Sequence, residues 1–388
     1  MLGTLKRCIF STPHSRSMTK VLNVISEAAH YKTPVPQKVE FLPPPLYGGR
    51  YMVSLLVGNG VGGELMKCVK DVVDEGRTPI TFEEIAAPKC ATDCDKDLHH
   101  IKTSIRRNRV ALKGCIETED QGAAKSQFNL TIKSELDLYV SIVHCKPYSG
   151  VKCLNPNLDL ILARQNTEGE YFLLEHETVK GNVESLKFIT KKKTERYAKW
   201  ALHYARACHR HKVTIVHKRD VYPLSDGLFI DTIKEQARDF KDLRFDTMRL
   251  SHFIESLLKR PQILDFVMLP NLYGCAATNI ACGLLGGAGL FSKKSFSDYY
   301  AVFEPAVGSL AKELVGKNVV NPVAMLNALR DMLVYLKINR DATAIDCAIR
   351  KTLSRDKIHT ADIGGDKKTS EFMDRVTDYI RNYFCTEY

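Results

Sequence analysis

Strand-like and helix-like segments alternate along residues 51–116, and this alternation limits the folds that the chain can adopt. A short apolar run, YMVSLLVG, is followed by the turn-like NGVGG and the amphipathic stretch ELMKCVKDVVDEG. Two further strand-like segments, ITFEEI and RVALKGCI, flank a stretch of helical periodicity, DLHHIKTSIRRN. Since alternating strands and helices pair their strands in parallel, the pattern predicts an α/β fold with a mostly parallel sheet and helices on its faces.

The middle of the chain carries a different pattern. After LDLILARQ, the segment EYFLLEHETVKGNVESLKFI alternates polar and apolar residues around Gly181-Asn182. This predicts a β-hairpin within about 165–190. A helix from about Lys191 and the strand-like KVTIVHK follow, and the last third returns to α/β and ends in helices. Asn321 is expected to cap one of these helices, and Thr369 or Ser370 the last one.

The chain of 388 residues is long enough for one large domain or two closely packed ones. Its first and last parts share the α/β pattern, and a section of different character lies between them. We therefore predict a large α/β domain from 27–139 and 291–388, with a small domain, 140–290, inserted between its two parts.

An excess of Lys and Arg gives the chain a net charge of +11 and a pI near 9.0. A nucleic-acid partner would require a compact patch of basic and aromatic residues, and none stands out. The run Lys191–Lys193 opens an amphipathic helix and is interpreted as a solvated face. No apolar run approaches the length of a membrane span. We predict no nucleic-acid and no membrane partner; an alkaline compartment or polycarboxylate ligands would explain the charge equally well.

Residues 1–26 have the composition of a mitochondrial transit peptide. Four Lys or Arg residues lie among several Ser and Thr, and no acidic residue occurs before Glu27. A disordered tail is the alternative interpretation.

The twelve cysteines are scattered along the chain, which favours reduced thiols over a disulfide framework. One stretch, CATDCDKDLHH, brings Cys90 and Cys94 close to His99 and His100. Zinc accepts these ligand types, but the cysteine spacing is loose and no second ligand pair follows. A loop leading into a helix is favoured over a metal site.

The segment NLYGCAATN follows the apolar run ILDFVMLP, and a small-residue helix is predicted to begin in it at Tyr273. Cys275 and Asn279 are four residues apart and so share a helical face, at the end of a buried strand where α/β sheets place their sites. Two carboxylates at this spacing could hold a divalent cation, whereas a thiol and an amide hold a hard cation poorly.

Nine stretches form a recognisable series along the chain: GNGVGGELM, RRNRVALKGCIET, LDLY, RQNTEGEY, VHKRDVYPLSDGLF, MLPNLYG, ACGLLGGAG, NPVAML and HTADIGG. The series resembles the β-decarboxylating dehydrogenase family, that of isocitrate and isopropylmalate dehydrogenases, from about residue 45 to 384. RQNTEGEY and NLYG are its most specific parts. LYGGR, YAVFE, HTADIGG and the His-Cys pair after LDLY are most similar to the gamma-type subunits of mitochondrial NAD-dependent isocitrate dehydrogenase.

The resemblance implies the family's two-domain α/β fold, with a mostly parallel sheet and the hairpin of the small domain serving as a dimerising clasp. It also implies a chemistry that uses NAD and a divalent cation chelated by the substrate. Arginines bind the substrate carboxylates, and a Tyr and a Lys act as acid and base.

The family's metal ligands are not matched. Its YGD-xxx-D motif reads YGCAATN here, so Cys275 and Asn279 stand where two aspartates would be, and a third aspartate position falls at Ser251. The comparison of motifs implies that this chain holds no catalytic metal.

The positions that bind substrate in the family are matched in part. The family's S-x-N-xxx-R reads QFNLTIK, which gives Gln127, Asn129 and Lys133, and a further arginine is replaced by Val143 beside His144. The other substrate positions, and the acid-base and adenine-contacting positions, are kept as Thr118, Arg164, Tyr171, Lys218 and Asn321. In the nucleotide loop, Val307 or a neighbour replaces a histidine of the catalytic subunits, and Ser309 and Leu310 depart from the gamma pattern.

These matches lead us to expect a regulatory subunit of a mitochondrial-matrix isocitrate dehydrogenase that binds citrate, and ADP as a second candidate effector. NAD and Mg²⁺ or Mn²⁺ would bind at the site of a catalytic alpha-type partner, with a beta-type subunit as a further candidate partner. Lys218 would act in trans in that partner's site. The alternatives are an isocitrate dehydrogenase active in its own right and a basic binding protein that has left the complex.

Overall fold

The computed structural model describes residues 43–46, 48–86, 94–116, 124–308 and 310–385, with side chains throughout except at 94, 95 and 124–127. Several predictions lie outside the described residues. They are the transit peptide at 1–26, the role of Thr118, and any contact through Cys90 or through the side chains of Cys94 and Gln127.

One large mixed sheet organises the described part of the chain. Its strands are β1 (Tyr51–Leu56), β2 (Ile80–Ile85), β3 (Val110–Lys113), β4 (Val140–Cys145), β5 (Leu160–Gln165), β8 (Lys212–His217), β9 (Arg244–Arg249), β10 (Phe266–Leu269), β11 (Ser292–Phe296) and β12 (Ala301–Pro305). Their order is β2-β1-β3-β12-β11-β4-β5-β10-β8-β9. The strands at both ends of this order pair in parallel, whereas β11 and β4, at its centre, pair antiparallel with their neighbours. The predicted α/β class with a mostly parallel sheet is confirmed.

The strand order brings distant segments of the chain together. β1, β2 and β3 share one half of the sheet with β11 and β12, which come from the last third of the chain. The other half contains β4, β5, β8, β9 and β10, all of which lie within 140–290. The strands are thus grouped as the predicted domains would require, and the domain boundaries stay a prediction.

Helices cover both faces of the sheet. They are α1 (Gly62–Glu75), α2 (Cys94–Asn108), α3 (Ala124–Glu135), α4 (Lys191–Ala207), α5 (Ser225–Ala237), α6 (Leu250–Lys259), α7 (Asn271–Leu284), α8 (Val323–Tyr335), α9 (Asn339–Ser354) and α10 (Thr369–Cys385). α2 and α3 pack on one face of β1, β3 and β12, where Ile105, Ile132 and Val302 lie in one buried cluster. α8 lies against β11 and β12 on the opposite face and in turn packs against α1 and α9. Within the described ranges, none of these helices has the length and apolar character needed to cross a membrane.

The predicted hairpin is confirmed and forms a small sheet of its own, from β6 (Glu175–Val179) and β7 (Asn182–Ser185). Val179 pairs with Asn182, so the turn is Lys180-Gly181, one residue earlier than predicted. Gly181 adopts φ +90°, a value that favours glycine. Val179 and Val183 are 66% and 68% exposed.

The caps of two C-terminal helices were predicted with mixed success. Asn321 lies one residue before the N-cap, Pro322, but its side chain still serves the start of α8, because its Oδ1 accepts a hydrogen bond from Val323 N at 3.0 Å. The prediction for α10 is wrong, since neither Thr369 nor Ser370 provides its cap. Asn318, from the loop before α8, accepts from Ser370 N at 3.0 Å, while the hydroxyl of Thr369 donates to a backbone oxygen.

The cysteines whose side chains are described are all free, as predicted. His99 and His100 lie exposed on α2. Among the described residues, no group of three or more His, Cys, Asp or Glu is placed to hold a metal ion.

Candidate functional site

Arg164 stands at the carboxyl end of β5 and is the centre of the candidate site. Its Nε donates to Oδ1 of Asn271 at 2.8 Å, and its guanidinium lies 5.3 Å from the centre of the Tyr171 ring. Asn271 also donates to the backbone oxygen of Glu168 at 2.8 Å. A buried guanidinium is thus held in place by an amide and an aromatic ring, and it has no ion pair with a carboxylate of the described residues.

α7 begins at Asn271, two residues before the predicted start at Tyr273. The helix can start there because Pro270, directly before it, is extended (ψ 164°), has no N–H that needs an acceptor, and accepts the first helical hydrogen bond from Gly274 N at 2.9 Å. Gly274, in the first turn, lets α7 approach the arginine closely. A Cβ at this position would lie 2.7 Å from Cγ of Arg164, closer than carbon atoms can pack.

Cys275 lies one residue further along α7 and is a neighbour of Tyr171. Burial alone would raise the pKa of the Cys275 thiol. The positive charges of Arg164, Lys293 and Lys133 and the neighbouring Tyr171 hydroxyl outweigh burial and hold that pKa below its usual value. Burial and the neighbouring Cys275 raise the pKa of Tyr171 to about 12. Arg164, Tyr171 and Cys275 therefore form one electropositive cluster.

The other two positions that replace family aspartates, Asn279 and Ser251, are exposed. Asn279 is exposed, and its Nδ2 donates to the backbone oxygen of Cys275 at 2.9 Å. Ser251 is exposed in the first turn of α6. A thiol, an amide turned onto its own helix and an exposed hydroxyl do not provide the oxygen ligands that Mg²⁺ or Mn²⁺ requires.

Lys133 and Asn129 lie one turn apart on α3, a helix that the sequence pattern alone did not predict. Lys133 is partly buried, and burial together with the charges of Lys293 and Arg164 lowers its pKa to about 7. Asn129 donates to the backbone oxygen of Ile116 at 2.6 Å, while its Oδ1 is buried and has no partner among the described residues.

A second cationic group, which sequence reasoning missed, lies on the adjoining strands. Glu304 accepts from Lys113 Nζ at 2.9 Å, and Lys293 Nζ lies 3.1 Å from its other oxygen. All three side chains are 14% exposed or less. Burial alone would raise the pKa of Glu304, but Lys113, Lys293 and Lys133 hold it far below its usual range. Glu304 is therefore ionised.

Val143 and His144 are neighbours on β4, so their side chains project from opposite faces of the sheet. Val143 is buried and pairs across the sheet with Lys293, so it offers no charge at the position of the family's arginine. His144 faces the other way, where its Nε2 lies 2.8 Å from Asp159 and 3.0 Å from Arg210. It belongs to a surface ion-pair group and not to the site.

Lys218 follows β8, and in the described part of the chain it donates hydrogen bonds to Asp220 and Asp226 and not to Tyr171. Its ammonium is 2.9 Å from Asp220, and its side chain is 31% exposed. Its backbone N–H donates to buried Asp226, which also pairs with Lys187 at 2.7 Å. The backbone at Lys218 is thus firmly anchored while its side chain remains accessible at the surface.

The side chain of Asn321 and backbone N–H groups of the glycine loop at 58–63 form hydrogen bonds with other residues of the chain. Nδ2 of Asn321 donates to Asp362 at 2.9 Å, and its Oδ1 accepts from Val323 N at the start of α8. Backbone N–H groups at 59 and 61 donate to the oxygens of Cys115 and Leu310. A Cβ on Gly60 would lie 2.2 Å from that Leu310 oxygen, so close backbone packing accounts for the glycine. An adenine contact by Asn321 stays a prediction.

Comparison with protein families gives a match over most of the chain. The family model described as isocitrate/isopropylmalate dehydrogenase matches residues 52–376. The mitochondrial isocitrate dehydrogenase [NAD] subunit gamma of Homo sapiens is 41% identical over 86% of this chain and 85% of its own. The corresponding human beta subunit is 36% identical over 86% of this chain and 87% of its own.

Solved structures have the same architecture. The isocitrate dehydrogenase of Methylococcus capsulatus superposes with a TM-score of 0.79 at 27% identity, covering 85% of this chain and 99% of that one. The TT0538 protein of Thermus thermophilus gives a TM-score of 0.83 at 26% identity, covering 89% of this chain and 72% of that one.

Proposed function

Because the chain belongs to the isocitrate/isopropylmalate dehydrogenase family, we propose that it is a regulatory, gamma-like subunit of a mitochondrial NAD-dependent isocitrate dehydrogenase. The complex would decarboxylate isocitrate oxidatively to 2-oxoglutarate, and this chain would bind citrate without turning isocitrate over. The names of its relatives, gamma and beta subunits of that enzyme, support the subunit role.

The observation that carries this proposal is the sign of the charge at the candidate site. Two lysines, Lys133 and Lys293, and Arg164 influence Cys275, and no carboxylate is found at the three positions where the family's metal ligands would be. A hard cation would meet repulsion and poor ligands here, so the residues present do not fit a catalytic metal. The same positive groups suit a ligand with several carboxylates.

The residues of this chain then have binding roles. Arg164, fixed by Asn271, presents its remaining N–H groups to one carboxylate, and Lys133 pairs with a second. Asn129 has an unpartnered buried oxygen, which suits the hydroxyl of a hydroxy acid. Thr118 completes the proposed set. Tyr171 retains its hydroxyl, whose pKa is raised by burial and by the neighbouring Cys275.

Catalysis would take place at a partner's site, where NAD and Mg²⁺ or Mn²⁺ bind. We propose an alpha-type catalytic subunit as that partner, a beta-type subunit as a further one, and the mitochondrial matrix as the location. The exposed valines of the hairpin support association with another chain. ADP, near Asn321, is the second proposed effector, and its binding there would replace hydrogen bonds that the Asn321 amide makes with Asp362 and Val323.

The test is to purify the chain alone and in complex with a catalytic subunit, and to assay both with isocitrate, NAD and Mn²⁺. We expect no turnover by the chain alone and turnover by the complex that responds to citrate. Turnover by the chain alone that disappears on chelation would contradict the proposal and favour a dehydrogenase active in its own right.

A further inference from the structure

Building on the proposed function, we infer that Lys293 is an anion-binding residue of the site. Its ammonium would bind a carboxylate of a small polycarboxylate directly. Ammonium and guanidinium groups would then hold the ligand at a site whose residues do not fit a divalent cation.

The register of the sheet places Lys293 on the face that carries the site. Ser295, two residues further along β11, pairs with Ser141 of β4, and Ser141 pairs with Arg164 of β5. Cross-strand partners and residues two apart project from the same face of a sheet. Lys293 and Arg164 therefore point to the same side.

α3 approaches that same face. Val302 pairs with Ser295 and Ala111, and both Val302 and Ala111 are buried with Ile132 of α3. Lys133 follows Ile132 directly and lies near enough to Lys293 and Arg164 for their charges to lower its pKa. Cations from a helix and from two strands that are not adjacent thus converge on one region.

The charges in this region do not balance. Lys113, Lys293 and Arg164 supply three positive charges, and Lys133 adds a fourth when it is protonated, whereas Glu304 is the carboxylate of the described residues that faces them. Glu304 is already shared between Lys113 and Lys293. Elsewhere in the described core, comparable lysines are balanced, as Lys294 is by Asp331. Partly buried positive charge without a counter-ion is unfavourable, and an anionic ligand removes that cost.

Calorimetry with citrate in EDTA tests the inference on the full chain. The variants are Lys293→Met, which keeps the length of the stem, and the Lys133→Ala, Arg164→Ala double variant. Lys212→Met is the matched control, because Lys212 is also a strand lysine paired with an acid but lies at the beginning of β8, away from the site. We expect Lys293→Met to weaken citrate binding by about tenfold or more, the effect of losing one charge-assisted contact. The control should bind like the wild type, and the double variant should lose binding.

The outcomes separate this inference from the function on which it rests. If the double variant loses binding while Lys293→Met binds within twofold of the wild type, Lys293 only packs against Glu304, and the inference is wrong although the proposed function stands. If the double variant binds citrate normally, or the wild type does not bind it, both are wrong.

A second measurement does not depend on the folding of any variant. The wild type should bind citrate equally well in EDTA and in Mn²⁺. If EDTA weakens binding more than tenfold, a metal ion and not the lysine holds the ligand, and the inference is overturned.

Discussion

Lys133 is the residue whose charge should change near neutral pH, since its pKa is lowered to about 7. A bound carboxylate favours the protonated ammonium, so citrate should bind better below that pKa and worse above it. Between pH 6 and pH 8 the contribution of Lys133 to the citrate affinity should fall about tenfold. One pH unit above the pKa, only about a tenth of the Lys133 side chains are still charged. Calorimetry across this range provides the measurement.

Other titrating groups make a matched variant necessary. Cys275 faces the same region, and its thiolate would also disfavour an anion as the pH rises. Lys293, Arg164, Glu304 and Lys113 are the other charged neighbours of Lys133. The Cys275 thiol and citrate titrate in the wild type and in Lys133→Met alike, so their effects cancel when the two citrate affinities are divided at each pH. A ratio that stays constant from pH 6 to pH 8 would contradict the prediction.

At the scale of an element, the hairpin is the segment that most requires a partner. A two-stranded sheet with exposed apolar residues is marginal in water by itself. If Val179 and Val183 are buried against another chain, replacing both with Asp should weaken subunit association about a hundredfold or more, since each buried valine contributes about 1.5 kcal/mol. Analytical ultracentrifugation of the mixed complex would measure this.

The control for the hairpin is Val315→Asp, a change at another exposed valine (48%) outside the hairpin. It should leave association unchanged. Because all three valines are exposed in the chain itself, none of these changes should lower its melting temperature much. Equal association of the hairpin variant and the control would assign the contact between subunits to another surface.

The elements also show which features the sequence could predict. Local sequence pattern identified β1 from its short apolar run, α4 from its apolar stripe at helical spacing, and the hairpin from the alternation around its glycine turn. It could not identify the cap of α10 by Asn318, which lies 52 residues before Ser370, or the pairing of Lys113 with Glu304, 191 residues apart. Those contacts depend on the sheet order, which no local pattern contains. Family motifs gave Arg164, Tyr171 and Cys275, but they could not indicate Lys293, which lies outside them.

At the scale of the whole molecule, the role of Lys218 depends on the assembly of this chain with another subunit. In the resembling family, the lysine of one subunit enters its neighbour's site and meets that neighbour's tyrosine. Here the Lys218 backbone is anchored to buried Asp226, its side chain is partly exposed, and its partner Asp220 lies at the surface. Such a surface pair contributes little to stability, so Lys218 can exchange Asp220 for a group on another chain. We propose that it works in trans as an acid-base element of the catalytic subunit.

Ser251 bears on the same proposal, since the aspartate expected there would also help to hold the neighbour's metal. A complex containing this chain should therefore bind Mn²⁺ more weakly than one with that aspartate, yet still depend on Lys218. In the complex with a catalytic subunit at saturating Mn²⁺, Lys218→Met should lower kcat about a hundredfold, the usual contribution of a positioned acid or base. Lys212→Met, at the other end of β8, should leave kcat unchanged. An equal kcat for Lys218→Met and wild type would mean that the lysine is only structural, and that this chain contributes scaffold and regulation but no chemistry.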